Sequence, residues 1–336
     1  MTPQHPVEQE RVVLVTGASG LVGRRVVERL ASAGSIRRTV ALDIREPEVG
    51  ERRENVEYEL GDIRDPALAK LLARFEVDTV VHLAAVVTPG PNSSRALEYS
   101  IDVEGTHNVA MACLEAGVRQ LVYTSSGAAY GYHADNPIPL RESDPLRGNE
   151  AFAYAWHKRL AEEKLAQLRD THPQLAQLIF RVGTILGERV ASPISALFER
   201  RAVVGVAGSD APFVFVWDED VAECIAKGVL EECRGIFNLA CDGAVSLPEI
   251  ARRLGRPYLP LPATLLAGAL RGLQALGLSA RGPEQVDFLR FRPVLCNDAL
   301  KREFGFTPRF DSLGCFEHYR RLHVGESAEG AACSAS

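Results

Sequence analysis

Two spacings of apolar residues alternate along the chain. Short β-branched runs, VVLVT at 12–16, TVALD at 39–43, VEYEL at 56–60, TVVHL at 79–83 and QLVYTS at 120–125, read as strands. Between them, residues 21–33, 66–74 and roughly 95–116 carry helical patterns long enough for right-handed crossovers. This alternation predicts an α/β fold with a doubly wound parallel sheet covered by helices on both faces, a nucleotide-binding architecture. After a further helix at 151–171, LIFRV at 178–182 and IFNLA at 236–240 read as later strands of the same sheet. The predicted nucleotide-binding domain therefore runs over 11–182 and is completed by about 213–242, while 183–212 and 243–322 form a smaller C-terminal substrate-binding lobe. Leu265, Leu266, Ala269, Leu270, Leu273 and Leu276 have helical apolar spacing and are expected to pack that helix onto the core, with a hydrophobic substrate wall as the alternative. Residues 1–10 and 323–336 are small and polar and are expected to be disordered tails.

Composition narrows the class. With 336 residues, 46% hydrophobic and 24% charged, the chain can bury a substantial core. A net charge of −6 and dispersed arginines give no electrostatic footprint for nucleic acid or for an anionic membrane, so neither is an expected partner. Seven cysteines with no CxxC pair and no ligand spacing imply no metal site and suit a reducing cytoplasm. The first residues lack a signal pattern and no run reaches the ~20 apolar residues a bilayer requires, so neither secretion nor membrane spanning is expected.

Gly17-Ala-Ser-Gly20-Leu21-Val22-Gly23 directly follows the first strand and opens a helix. Glycines there permit a tight turn and close approach of a pyrophosphate to helix N-terminal N–H groups; the alternative is a tight turn with no ligand. Asp43 ends the second strand, where a carboxylate can accept hydrogen bonds from both ribose hydroxyls of NAD and repel the 2′-phosphate of NADP. NAD is therefore expected over NADP, with Arg45, Arg37 and Arg38 as the arginines available to offset a phosphate. Asp62, after the third strand, is a candidate for the adenine amino group, and Asp65 is the expected N-cap of a helix starting at Pro66.

Tyr154 and Lys158 stand four apart in a helical segment, on one face. A free tyrosine, with a pKa of ~10, is a poor base near neutrality, and an adjacent ammonium stabilises its phenolate. The chain has only five lysines and otherwise uses arginine for positive charge. A Tyr–Lys pair at this spacing is by itself commonly surface decoration.

Taken in order, TGASGLVG at 16–23, Asp43, GDIRD at 61–65, HLAA at 82–85, VEGTHNV at 103–109, TSSGAAYG at 124–131, YAWHK at 154–158 and FVWDEDVAE at 215–223 resemble the extended short-chain dehydrogenase/reductase superfamily, also called the NAD-dependent epimerase/dehydratase family. The resemblance covers roughly 11–240 well and 241–320 loosely. It implies a Rossmann-like domain, NAD as cofactor, no metal, and Ser126, Tyr154 and Lys158 as the catalytic set, Lys158 also holding the nicotinamide ribose. For Ser126 the alternative is a strand-end serine that satisfies backbone groups. The resemblance also implies cofactor contacts from Ile63, Leu83, Ala84, Ala85 and Arg181, and a homodimer through the helices that carry Val103 and Tyr154. His82, His133 and His157 stay outside the active set.

The sequence departs from the family pattern at three places. Asp102 stands where many members have Asn, so an acceptor replaces a donor. Ser126-Gly127-Ala128 replaces the Thr-Asp-Glu of the family's dehydratases, which disfavours sugar dehydration. Asp210-Ala211-Pro212-Phe213-Val214 lacks the arginine that nucleotide-sugar enzymes carry ahead of Phe-Val, although Arg290 and Arg292 in DFLRFRP remain candidates to clamp an anion. The leading expectation is reversible oxidation of a secondary alcohol, or reduction of a ketone, on a small or apolar substrate. The alternatives are a nucleotide-sugar 4-epimerase with tightly bound NAD and, from another class, a non-catalytic NAD sensor or scaffold.

Overall fold

The computed structural model describes residues 11–47, 50, 52–90, 93–190, 192, 194–276 and 282–324. The tail expected at 1–10 lies outside the described residues, as does that expected at 323–336 apart from its first two residues, which belong to the last helix. In chain order the first elements are β1 (Arg11–Thr16), α1 (Leu21–Ala31), β2 (Ile36–Asp43), β3 (Val56–Leu60), α2 (Leu68–Phe75), β4 (Thr79–His82), α3 (Arg95–Tyr99), α4 (Thr106–Ala116) and β5 (Gln120–Ser126). They are followed by α5 (Ala153–Thr171), β6 (Ala176–Val182), β7 (Thr184–Leu186), α6 (Ser195–Phe198), β8 (Val203–Val206), β9 (Phe215–Trp217), α7 (Asp218–Leu230) and β10 (Gly235–Leu239). The chain continues through α8 (Leu247–Arg253), β11 (Tyr258–Leu261), α9 (Ala263–Ala275), α10 (Gln285–Arg290), α11 (Asp298–Arg302) and α12 (Ser312–Val324).

Seven strands form one sheet in the order β10-β6-β5-β4-β1-β2-β3, the doubly wound order with one strand added beyond β6. The chain reverses its direction of winding between β1 and β4, so the carboxyl ends of these strands flank the switch point where such sheets bind ligands. Every residue of β1 is buried, as expected for a central parallel strand covered on both faces. The helical pattern at 95–116 resolves into α3 and α4 joined by a π-helical segment, Ser100–Gly105, and the expected Pro66 helix start lies two residues later, at Leu68.

The chain divides into two compact units. The first comprises residues 1–124, 160–180 and 221–236, and the second 125–159, 181–220 and 237–336. In the first, Val12, Leu14, Val40, Leu42, Leu72, Val109 and Leu165 belong to one apolar core. Arg11, which opens β1, is buried because its guanidinium donates to the Val229 carbonyl at 2.7 Å and the Leu230 carbonyl at 2.8 Å, capping the C-terminus of α7. Gln120 does the same from β5, donating to the Gly228 and Cys233 carbonyls. In the second unit Tyr130, Leu140, Val214, Ala240, Val294 and Leu295 form a core, and β8–β11 and β7–β9 pair as two small parallel sheets. Helix α9 contradicts the expectation that its leucines pack onto the core: none of its residues is buried. No described helix is long and apolar enough to cross a membrane.

Candidate functional site

The glycine turn belongs to the first unit. Gly17 takes φ +67°, and a Cβ there would lie 2.7 Å from the Ala84 nitrogen, so both backbone conformation and proximity to the chain after β4 demand glycine. At Gly23 a Cβ would overlap the Gly17 carbonyl oxygen, and at Gly20 it would lie 3.0 Å from that same oxygen. The three glycines thus fold around one carbonyl. Leu21 and Val22 open α1, whose N-terminus carries no side-chain cap and no acidic residue in its first turn. Uncapped N–H groups at the positive end of the helix suit an anion.

Asp43 closes β2 with its carboxylate turned toward that turn, accepting from the Ser19 N–H at 3.0 Å and the Arg45 N–H at 3.1 Å. Arg37 pairs with Glu76 and Arg38 lies over the Phe75 ring, six and five residues back along the strand from Asp43 and so about 16–20 Å away. Neither is placed to neutralise a phosphate beside Asp43. Arg45 is mostly exposed, with its Nε 3.8 Å from Asp43.

Asp62 is gripped by Arg64, whose Nε lies 3.0 Å and Nη2 2.5 Å from the carboxylate. That guanidinium holds the Asp62 carboxyl below the usual carboxylate range. Ile63 is buried, and a Cβ on Gly105 would lie 2.7 Å from its Cδ1. Asn108 donates to the carbonyls of Ile63 at 2.7 Å and Asp65 at 3.0 Å. Asp65 accepts from the Ala67 N–H at 2.8 Å, one turn ahead of α2.

Leu83, Ala84 and Ala85 follow β4, and a hydrogen-bond chain holds the first two. Thr106 donates its only hydroxyl proton to the Asp102 carbonyl at 2.6 Å, so it accepts from His82 Nε2–H at 3.0 Å. His82 Nδ1 and the Thr16 hydroxyl share a hydrogen bond at 2.7 Å, and the Thr16 oxygen accepts from the N–H groups of Leu83 at 3.3 Å and Ala84 at 3.4 Å. His82 is buried and supports the wall beside the glycine turn. Asp102, in the π-helical segment, is buried and accepts from the Val86 N–H at 2.8 Å. That bond needs an acceptor, which an Asn carbonyl oxygen would supply equally, so the substitution preserves it.

The second unit holds the catalytic candidates. Ser126 ends β5 and its Oγ accepts from the Ala128 N–H at 3.1 Å, capping the short turn Gly127–Tyr130. With its acceptor face used by the cap, the hydroxyl proton points elsewhere and is available as a donor. Its neighbour Ser125 is buried. On α5, Tyr154 is half-buried and Lys158 buried, with the ammonium 5.9 Å from the Tyr154 ring centroid. Arg181 enters the cofactor set by resemblance; its guanidinium donates to the Tyr130 hydroxyl at 2.8 Å and the Glu142 carbonyl at 2.9 Å. Burial pushes the Tyr130 phenol up to about 12. His133 lies 2.8 Å from the Arg147 carbonyl, and His157 is buried.

Arg292, a candidate anion clamp, sits against two aromatic rings. The Arg292 guanidinium lies 4.0 Å from the Phe213 ring centroid and 4.6 Å from that of Phe288, donates to Thr184 Oγ1 at 3.1 Å, and keeps Nη1 buried without a hydrogen-bond partner among the described residues. Burial pushes it down to about 10. The cation missing from the sequence ahead of Phe213 thus reaches that phenylalanine from residue 292. Thr16, Gly105, Thr106 and Asn108 were unassigned, although all but Thr16 stand in the VEGTHNV motif.

Residues 13–240 match the model of the NAD dependent epimerase/dehydratase family. An uncharacterized protein of Mycobacterium tuberculosis is 29% identical over 324 residues, 95% of this chain and 85% of that one. The N-acetyl-alpha-D-glucosaminyl-diphospho-ditrans,octacis-undecaprenol 4-epimerase of Escherichia coli O157:H7 is 36% identical over 183 residues, 53% of this chain and 50% of the enzyme. Among solved structures, the Bordetella bronchiseptica enzyme WbmG in complex with NAD and UDP superposes with a TM-score of 0.71 at 18% identity, covering 94% of each chain.

Proposed function

Because the chain belongs to the NAD dependent epimerase/dehydratase family, we propose that it is an NAD-dependent oxidoreductase of the extended short-chain dehydrogenase type, acting at a secondary alcohol or ketone with Tyr154 as acid/base. The observation that carries this reading is the buried Lys158 ammonium set one helical turn from a half-buried tyrosine. Burying an ammonium is costly, and here its charge favours the phenolate. Tyr154 Oη takes the proton of a substrate hydroxyl, or returns it to a ketone oxygen, while the Ser126 hydroxyl donates to the same oxygen. When bound, NAD supplies the two-electron acceptor for the substrate carbon.

The donor set fits that cofactor. Gly17, Gly20, Leu21, Val22 and Gly23 would hold the pyrophosphate at the uncapped end of α1, Asp43 the ribose hydroxyls, and Asp62 and Ile63 the adenine. Leu83, Ala84 and Ala85 would wall the site, and Lys158 would hold the nicotinamide ribose. The same reading includes a cytoplasmic homodimer formed through the helices that carry Val103 and Tyr154.

The test is the near-ultraviolet absorbance of reduced nicotinamide with purified protein, NAD or NADP, and a panel of alcohols, ketones and nucleotide sugars. We expect net turnover on an alcohol or ketone, with NAD preferred at least about tenfold, since Asp43 repels a 2′-phosphate. Sugar isomerisation without net absorbance change would instead establish a 4-epimerase, and NAD binding with neither outcome would leave a sensor.

The epimerase reading is compatible with the same family, and the buried Nη1 of Arg292 gives it a test, because a desolvated guanidinium with an unmet donor suits a substrate diphosphate. Arg292→Met keeps the packing against Phe213 and Phe288 and is expected to weaken UDP binding at least about tenfold by calorimetry. Unchanged affinity would remove the anion role from this residue.

A further inference from the structure

Residues 131–152 run from the turn that Ser126 caps to α5 as irregular chain. Such chain ordinarily bonds to water and moves more than the elements it connects. Here it is stitched to both elements that carry the catalytic candidates. On the serine side, the Gly148 N–H donates to the Ala129 carbonyl at 2.9 Å, inside the capped turn. The Tyr132 N–H donates to Asn149 Oδ1 at 2.6 Å, and Asn149 Nδ2 donates to the Tyr132 carbonyl at 3.4 Å. A backbone N–H only donates and a carbonyl only accepts, so the orientation of the Asn149 amide is fixed by its partners. Asn149 thus pairs with Tyr132 as a neighbouring strand would.

On the tyrosine side, the Phe152 N–H donates to the Asn149 carbonyl at 3.0 Å, and the Phe152 carbonyl accepts from the Trp156 N–H at 2.9 Å in the first turn of α5. Gly148 is buried against the same helix: a Cβ there would overlap the carbonyl oxygen of Ala155, next in sequence to Tyr154. The side chains repeat the connection, since the Tyr132 and Phe152 rings meet edge to face with centroids 5.0 Å apart. Arg147 adds an outer fastening to Asp135 and Asn136, but exposed ion pairs of this kind contribute little. The half-buried Asn149 amide is the tighter joint.

Ser126 and Tyr154 lie on different elements joined through irregular chain, so connectivity alone does not hold their separation to the fraction of an ångström that proton transfer requires. We propose that Asn149 is a positioning residue that sets this separation by joining the segment leaving Ser126 to the segment entering α5. The proposal rests on the reading that both side chains meet one substrate oxygen, and it holds for net oxidation and for isomerisation alike. The residues proposed to hold the pyrophosphate and adenine belong to the first unit and are untouched.

The experiment is a double-mutant cycle on the full chain, with turnover read as net NADH change or as sugar interconversion. Asn149→Ala is expected to lower kcat at least about tenfold while NADH affinity, by fluorescence titration, stays within about twofold. In the Ser126→Ala background the same substitution should cost no more than about twofold, because no serine remains to be aligned with Tyr154. Asn149→Asp keeps an acceptor for the Tyr132 N–H and should recover most of the loss. Should Asn149→Ala fail to fold, Asn149→Ser takes its place. Amide hydrogen exchange needs no substrate: Asn149→Ala should speed it at residues 127–132 and 152–156 and leave β1 to β4 protected. Undiminished turnover, losses that add across the cycle, no recovery in Asn149→Asp, or unchanged exchange each overturn the proposal. A Tyr154→Phe variant that keeps full turnover removes the underlying reading instead, whereas an inactive one beside an additive cycle removes only the role of Asn149.

Discussion

Tyr154→Phe is expected to cut turnover at least about 10³-fold while leaving NAD affinity within about twofold of the wild type. The phenyl ring stays where the Lys158 ammonium now faces it at 5.9 Å, and the position is half-buried, so the variant loses the Oη atom and little packing. Without Oη no group on α5 exchanges a proton with the substrate oxygen, whereas the residues proposed to hold the cofactor are untouched. Steady-state turnover and a fluorescence titration with NADH together separate these effects. Undiminished turnover would remove Tyr154 from the chemistry, and a parallel loss of affinity would show it acting mainly through cofactor binding.

The second large effect is expected at Gly17. An alanine there must hold φ near +67° and place its Cβ 2.7 Å from the Ala84 nitrogen and 2.9 Å from its Cα, both backbone atoms of the wall segment. Strain of the left-handed region and displacement of the wall together should cost about 2–4 kcal/mol, which for a chain of this size lowers Tm by roughly 3–6 °C. Because Ala84 and Leu83 also hang from the Thr16 hydroxyl, the shift should propagate through His82 to the π-helical segment. Stabilisation of Tm by added NAD should therefore fall as well, since ligand that binds only the folded form raises stability with the logarithm of its affinity. Gly34→Ala is the control: nothing lies within 4 Å of its Cβ position, and it should unfold like the wild type. If Gly17→Ala behaves like Gly34→Ala, the turn is looser than its geometry indicates.

Much of the fold was legible because β1 to β6 are short runs separated, except between β2 and β3, by helical ones, a contrast that survives in a single sequence. The glycine turn, Asp43 and the Tyr154–Lys158 spacing were legible for the same reason: each is local, a motif a few residues long. What stayed hidden depends on contacts distant in sequence. Thr16, His82 and Thr106 meet across 66 and 24 residues, and no periodicity reports their hydrogen bonds. The π-helical segment at Ser100–Gly105 reads through as ordinary helix, since one extra residue barely disturbs an apolar stripe. Arg292 was legible as a candidate anion clamp, whereas its contacts with the Phe213 and Phe288 rings were not. For α9 the pattern correctly indicated an amphipathic helix, but periodicity defines a face and not what the face meets.

The guanidinium of Arg11 bears on how this protein emerges during synthesis. The first strand of the sheet is also the cap of a helix that ends 218 and 219 residues later, and Gln120 reaches the same region from the other side of β4. A ribosome delivering the chain from its amino end therefore presents β1 to β5 long before their last partners exist, and a nascent chain stopped short of residue 236 leaves this unit's seam open. Closure of the unit waits until about seven-tenths of the chain has been made, although the strand at its centre is the first one made.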